Sequence, residues 1–310
     1  MVYLVTQHLT ANRAVSLIAF SLIALSPLHV KYSAFSMTDV PHAFLVIASL
    51  YFVLKQRWIL AASCIAIGCL MRIESWPIVL LLPALQFLHQ RRISLTALCI
   101  SLFAPLIWLY ICWAATGNPL EYFKVRSEYM SEALAGDPTL NYFSAARIAN
   151  NVRALLYSAG PAVIIACLIA AWLIIKRIRR EESSESSWPL TAALEYFFVS
   201  LGFLILAFVT KNQPDMLNRY GLMLFALGLP VFGWSCLAIK GWNSRWTRAL
   251  FALFVILCLW QWGLQARHGA QYLEEVSQKR IIADYLRDKH RSSPDSRIFC
   301  DDATVQVLSG

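Results

Sequence analysis

Seven residues of this 310-residue chain have the side-chain chemistry and the setting to do work: Lys31, Asp39, Arg72, Glu74, Lys211, Arg219 and Tyr220. Each stands at the edge of an apolar run. An ionisable group in such a place is costly to desolvate and needs a partner, water or a function. Asp39 sits in SMTDVP, where Thr38 or Asp39 can cap a helix by accepting from its first N–H groups and Pro41 falls in the first turn. Its other reading is a carboxylate at the mouth of a membrane-edge cavity, acting on an acceptor or holding a metal. Arg72 and Glu74, one residue apart in MRIES, read either as an ion pair marking a turn or as a phosphate-binding arginine oriented by its neighbour. The planar guanidinium suits phosphate because it donates paired hydrogen bonds. Arg219–Tyr220 reads as a snorkelling arginine beside an interfacial tyrosine, or as a further phosphate contact helped by Lys31 and Lys211.

Other chemistries have no foothold. The chain has no phosphate-binding lysine loop, GxGxxG, GxSxG or HExxH, and its six histidines are scattered. None of its eight cysteines forms a CxxC pair, and all but Cys300 lie in apolar stretches, as a small hydrophobe would. The balance of 27 Lys and Arg against 18 Asp and Glu gives a formal charge of +9, but the basic residues lie between apolar runs. Membrane topology accounts for that distribution without nucleic acid.

The elements that must position these residues are helices. With 58% apolar and 15% charged residues, the chain carries more hydrocarbon than a soluble core of this size can hide. Apolar runs fall at 14–28, 40–54, 58–71, 76–88, 93–115, 152–175, 190–209, 220–239 and 247–264. The expectation is an all-α polytopic membrane protein of about nine transmembrane or buried helices. Placing Lys176–Arg180 on the cytoplasmic side sends Arg13, Lys55, Arg57, Arg91, Arg92, Lys240, Arg245 and Arg248 to the same side, as the positive-inside rule prefers. The seven candidates then share the outer side with the loop 116–151. In that loop Tyr122, Phe123, Tyr129, Met130, Tyr142 and Phe143 read as an interfacial helix or as the lining of a sugar or lipid groove. Residues 1–266 form the expected membrane domain. From 267 to 310 a helical pattern, the turn SSPDS and an alternating stretch read as the start of a small extracytoplasmic α/β domain.

Two segments carry a resemblance. ALSPLHVKYSAFSMTDVPHAFLVIASLYFVL and LAASCIAIGCLMRIESWPIVLLLPAL look like the middle of a GT-C membrane glycosyltransferase, in the branch of protein mannosyltransferases and aminoarabinose transferases. TGNPLEYF and RYGLMLFALGLP resemble the family's outer loop and a later helix, so the likeness spans roughly 14–235. It rests on texture and order rather than on one diagnostic motif. It implies an inverting transfer of a sugar from a polyprenyl-phosphate donor to a lipid, glycan or protein acceptor at the outer membrane face. By position, Asp39 matches an acidic site and Arg72 with Glu74 the outer turn where a polar residue recurs, so that Asp39 and Glu74 are the expected catalytic acids, and Arg219 with Tyr220 matches a phosphate contact. Arg72, Lys31 and Lys211 would support that contact. The cofactor is unspecified, and a divalent metal is compatible with the family.

The chain departs from the family pattern at its start. The principal acid of such enzymes lies after the first transmembrane helix, and MVYLVTQHLTANR reads as the end of an apolar helix that should follow it. The expectation is a chain short of that helix pair and of part of its tail, which would be inactive alone. Two other classes compete: a flippase-like transporter of lipid-linked sugars, and a non-catalytic membrane subunit. The first calls for ionisable or helix-breaking residues near mid-membrane, whereas the charges noted above sit at helix edges.

Overall fold

The computed structural model describes residues 1–34, 38–125, 145–178, 188–209, 221–240 and 255–267, with isolated positions 128, 245, 249, 252 and 253. Among these residues all regular structure is helical. The helices are α1 (Val2–Thr10), α2 (Arg13–Ala24), α3 (Pro27–Ala34), α4 (Asp39–Leu54), α5 (Trp58–Met71), α6 (Trp76–Gln90), α7 (Leu95–Thr116), α8 (Ala145–Ala159), α9 (Pro161–Ile178), α10 (Trp188–Val209) and α11 (Gly221–Lys240). A single 3-10 turn, Ile73–Ser75, joins α5 to α6. The chain divides into two compact units, Met1–Cys258 and Leu259–Gly310. The α/β unit expected over 267–310 lies outside the described residues except for Arg267, which is helical.

Of the nine runs expected as transmembrane or buried helices, only some are full spans among the described residues. Three described helices are long and apolar enough to cross a membrane: Leu95–Thr116, Trp188–Ala207 and Gly221–Ala238. Two bent pairs raise the number to five if each is one span. Backbone breaks account for part of the difference. The run at 14–28 turns by 55° between Ala24 and Pro27, and the run at 152–175 turns by 85° between Ala159 and Pro161. Proline has no N–H to continue the ladder and clashes with the preceding turn, so an apolar run through Gly160–Pro161 need not be one helix. The helices α4 and α5 have only 16 and 14 residues, fewer than the 20 or so of a straight crossing.

Helix α11 forms the centre of the first unit. Its spanning window is 83% buried, against 17% for α7, although their mean hydropathies are 1.8 and 2.1. Small residues explain the difference. A Cβ on Gly233 would stand 2.8 Å from Val15 Cγ1 and 3.2 Å from Thr6 Cγ2, so glycine lets α11 press against α1 and α2. Helices α4 and α5 pack antiparallel, which brings the start of α4 beside the end of α5. At the other end, His89 stacks on Trp188 at 4.2 Å and its Nε2 lies 2.8 Å from Gln56 Nε2.

Candidate functional site

Asp39, Arg72 and Glu74 meet at the Asp39 end of the α4–α5 hairpin. Arg72 is the first residue after α5 and has extended backbone, which turns its side chain back toward α4. Its Nε donates to Glu74 Oε2 at 3.1 Å and its Nη2 to Glu74 Oε1 at 3.3 Å, while Nη1 donates to Asp39 Oδ1. All three side chains are at least nine-tenths buried. The cluster therefore holds two carboxylates and one guanidinium away from water. Such charges are tolerable only when paired and hydrogen-bonded. Burial pushes the Glu74 carboxyl up, but the charge and hydrogen bonds of Arg72 outweigh it and hold the group below its ordinary value.

The cap read from SMTDVP does not form as a side-chain bond. Thr38 is the N-cap residue of α4, in αR backbone and with no side-chain cap hydrogen bond, and Asp39 stands in the first turn. The Asp39 carboxylate goes to a residue 33 positions away instead. Both readings of Arg72 and Glu74 had left out this third member. A second rung runs alongside. His42 Nε2 lies 2.7 Å from Ser75 Oγ, so residues one turn into α4 and one residue beyond Glu74 are tied together. Glycine at 68 makes the room, since a Cβ there would lie 3.1 Å from Ser75 Oγ.

An apolar cavity of about 510 Å³ opens from the same helix turn. Val40 and Pro41, the two residues after Asp39, line it, with Phe20 and His29 from α2 and α3 and Leu222 and Ala226 from α11. On the other flank of the cluster, Trp76 follows Ser75 directly. Phe123 meets its ring edge-on at 5.9 Å, and Tyr122 meets Trp108 in the same way at 5.6 Å. The two described members of the aromatic loop thus pack beside the charged turn. Trp76 Nε1 is buried without a hydrogen-bond partner.

The other candidates fare differently. Lys31 lies in the last turn of α3, with Nζ 5.9 Å from the Tyr32 ring centroid. Lys211, Arg219 and Tyr220 lie outside the described residues, as do Tyr129, Met130, Tyr142 and Phe143. Among the described residues, no group of three or more His, Cys, Asp and Glu side chains is placed to hold a metal ion. The described cysteines are free. Sequence reading missed Glu195, an acid inside the apolar helix α10, and the His42–Ser75 rung. Glu195 could have been noticed as the only charged residue between Trp188 and Val209. Searches against family models, curated proteins and solved structures found no match for this chain.

Proposed function

We propose that the chain is a multi-pass membrane glycosyltransferase of the GT-C type, acting on a polyprenyl-phosphate-linked sugar at the extracytoplasmic face. One observation carries the reading: a buried carboxylate cluster and an apolar cavity share the first turn of α4. An amphipathic donor calls for that arrangement, with hydrocarbon on one side and charge on the other. The aromatic flank formed by Trp76 and Phe123 suits the apolar face of a sugar ring.

In this reading Asp39 accepts the proton of the acceptor hydroxyl. The oxygen attacks the anomeric carbon, the bond from that carbon to the phosphate oxygen breaks, and the lipid phosphate leaves with the bonding pair. Arg72 is a positioning residue, because its contacts with both carboxylates hold Asp39 in one orientation. Charge developing on the phosphate falls to Arg219 with Tyr220, the contact the family resemblance suggests, helped by Lys31 and Lys211. Fixed cationic donors in a dry site stabilise such charge strongly.

The test separates binding from chemistry. Purified protein is given a fluorescent polyprenyl-phosphate sugar, and both retention of the donor and release of lipid phosphate are followed. D39N is expected to lower release at least about 100-fold, the size of a lost general base, and leave donor retention within about two-fold. Wild-type release by D39N removes the assignment of Asp39, and no donor retention by the native chain removes the whole reading. A second reading, movement of lipid-linked sugars without chemistry, gains one observation. Glu195 places an acid within α10, the kind of residue that transport calls for. Equal donor flux across proteoliposomes with and without the protein would end it.

A further inference from the structure

Glu195 is the eighth residue of α10, seven residues beyond Trp188 and so about 10 Å into the helix. Its Oε2 is buried and has no hydrogen-bond partner. The side chain lines a second cavity, of about 360 Å³, between α9 and α10. Ala171, Ile174 and Ile175 of α9 and Phe198 of α10 form apolar walls there, and Thr191 lies one helical turn before Glu195 on the same face.

We propose that this cleft binds a single-chain amphiphile with a protonated primary amine, and that Glu195 is the counter-ion. Apart from Glu195 and Thr191 the lining is apolar, so the ligand brings its own hydrocarbon. The volume is at the low end for a ligand pocket, which suits one alkyl chain and excludes a docking helix. The charge must be cationic, because an acid desolvated among apolar side chains gains most from an opposite charge. A bare metal ion fits poorly. Calcium or magnesium takes six or more oxygen ligands, and the cleft supplies one carboxylate and one hydroxyl. A primary ammonium is a compact N–H donor that can reach the unpartnered Glu195 Oε2 from the end of an alkyl chain.

The experiment uses the purified native chain in neutral detergent, with dicyclohexylcarbodiimide to modify carboxyl groups exposed to an apolar phase and mass spectrometry to locate the adduct. Dodecylamine is the probe, and dodecanol is the matched chain without charge. Labelling of Glu195 is expected, slowed about five-fold by dodecylamine at about four times its Kd and unchanged by dodecanol. Spin-labelled alkylamine should bind saturably to the native chain and to D39N, and lose that binding in E195Q and E195L. Equal protection by both probes would mean that the cleft reads only the chain, which overturns the proposal. Absence of a Glu195 adduct, or an adduct that dodecylamine does not slow, overturns it as well. Donor retention and phosphate release are read separately, so this proposal and the transferase reading fail independently.

Discussion

Glu74 and Glu195 are both glutamates set among apolar helices, the first buried and the second half-buried, and their circumstances are opposite. Glu74 lies in a turn at a helix junction, receives two hydrogen bonds from Arg72 and shares that arginine with Asp39. Glu195 lies inside a helix beside an apolar cleft and leaves one oxygen without a partner. The difference teaches where this molecule places satisfied charge and where it keeps charge in reserve. A turn can bring an arginine back to a carboxylate two residues away and admit a third group from a neighbouring helix. A residue within a regular helix has only its own face and whatever packs against it. Pairing fixes geometry, whereas an acid with an unpartnered oxygen can still take a partner.

The sharpest way to break this comparison is to remove the shared cation. Arg72→Met leaves Asp39 and Glu74 buried, close together and without their cation, and is expected to cost about 3–5 kcal/mol. Thermal unfolding in detergent measures it, and a loss under about 1 kcal/mol would place the cluster in water rather than in protein. Next is acid. The folded pKa of Glu74 is depressed, so the stability it contributes is complete above the unfolded value and is lost as pH falls through the folded one. The unfolding midpoint should therefore drop on acidification below the ordinary carboxylate range, and E74Q should flatten that part of the profile.

A smaller effect tests the second rung. Ser75→Ala removes the His42 hydrogen bond and should cost about 1 kcal/mol, while S75T, which keeps the hydroxyl, should recover part of it. The smallest effect is expected at the other glutamate. Glu195→Leu removes a desolvated carboxylate that has no partner on Oε2, so stability should change by less than about 1 kcal/mol or rise. A loss as large as that of Arg72→Met would show that Glu195 is a structural group and would erase the contrast.

Sequence alone carried the class of structure but not its packing. The apolar runs and sparse charge pointed to helices, and the described residues are helical. Hydropathy could not distinguish α7 from α11, because lipid and protein interior are equally apolar. Only the glycines of α11 hinted at which one is enclosed. The pairing of Arg72 with Glu74 was legible, since two opposite charges two residues apart in a turn can meet locally. Asp39 could not be joined to them, because that contact depends on the antiparallel packing of α4 and α5. The same charge made SMTDVP look like a cap, and a long-range partner outcompeted the local one. Glu195 was obscured by the apolarity of its own run, and the breaks at Pro27 and Pro161 by theirs.

The 85° turn at Gly160–Pro161 has a mechanical consequence. If α9 stands across the bilayer, α8 must run almost flat along it, a lever of 15 residues and about 22 Å. Its sequence AARIANNVRALLYSA is amphipathic and suits the boundary between headgroups and acyl chains. A helix lying there takes up area in one leaflet only.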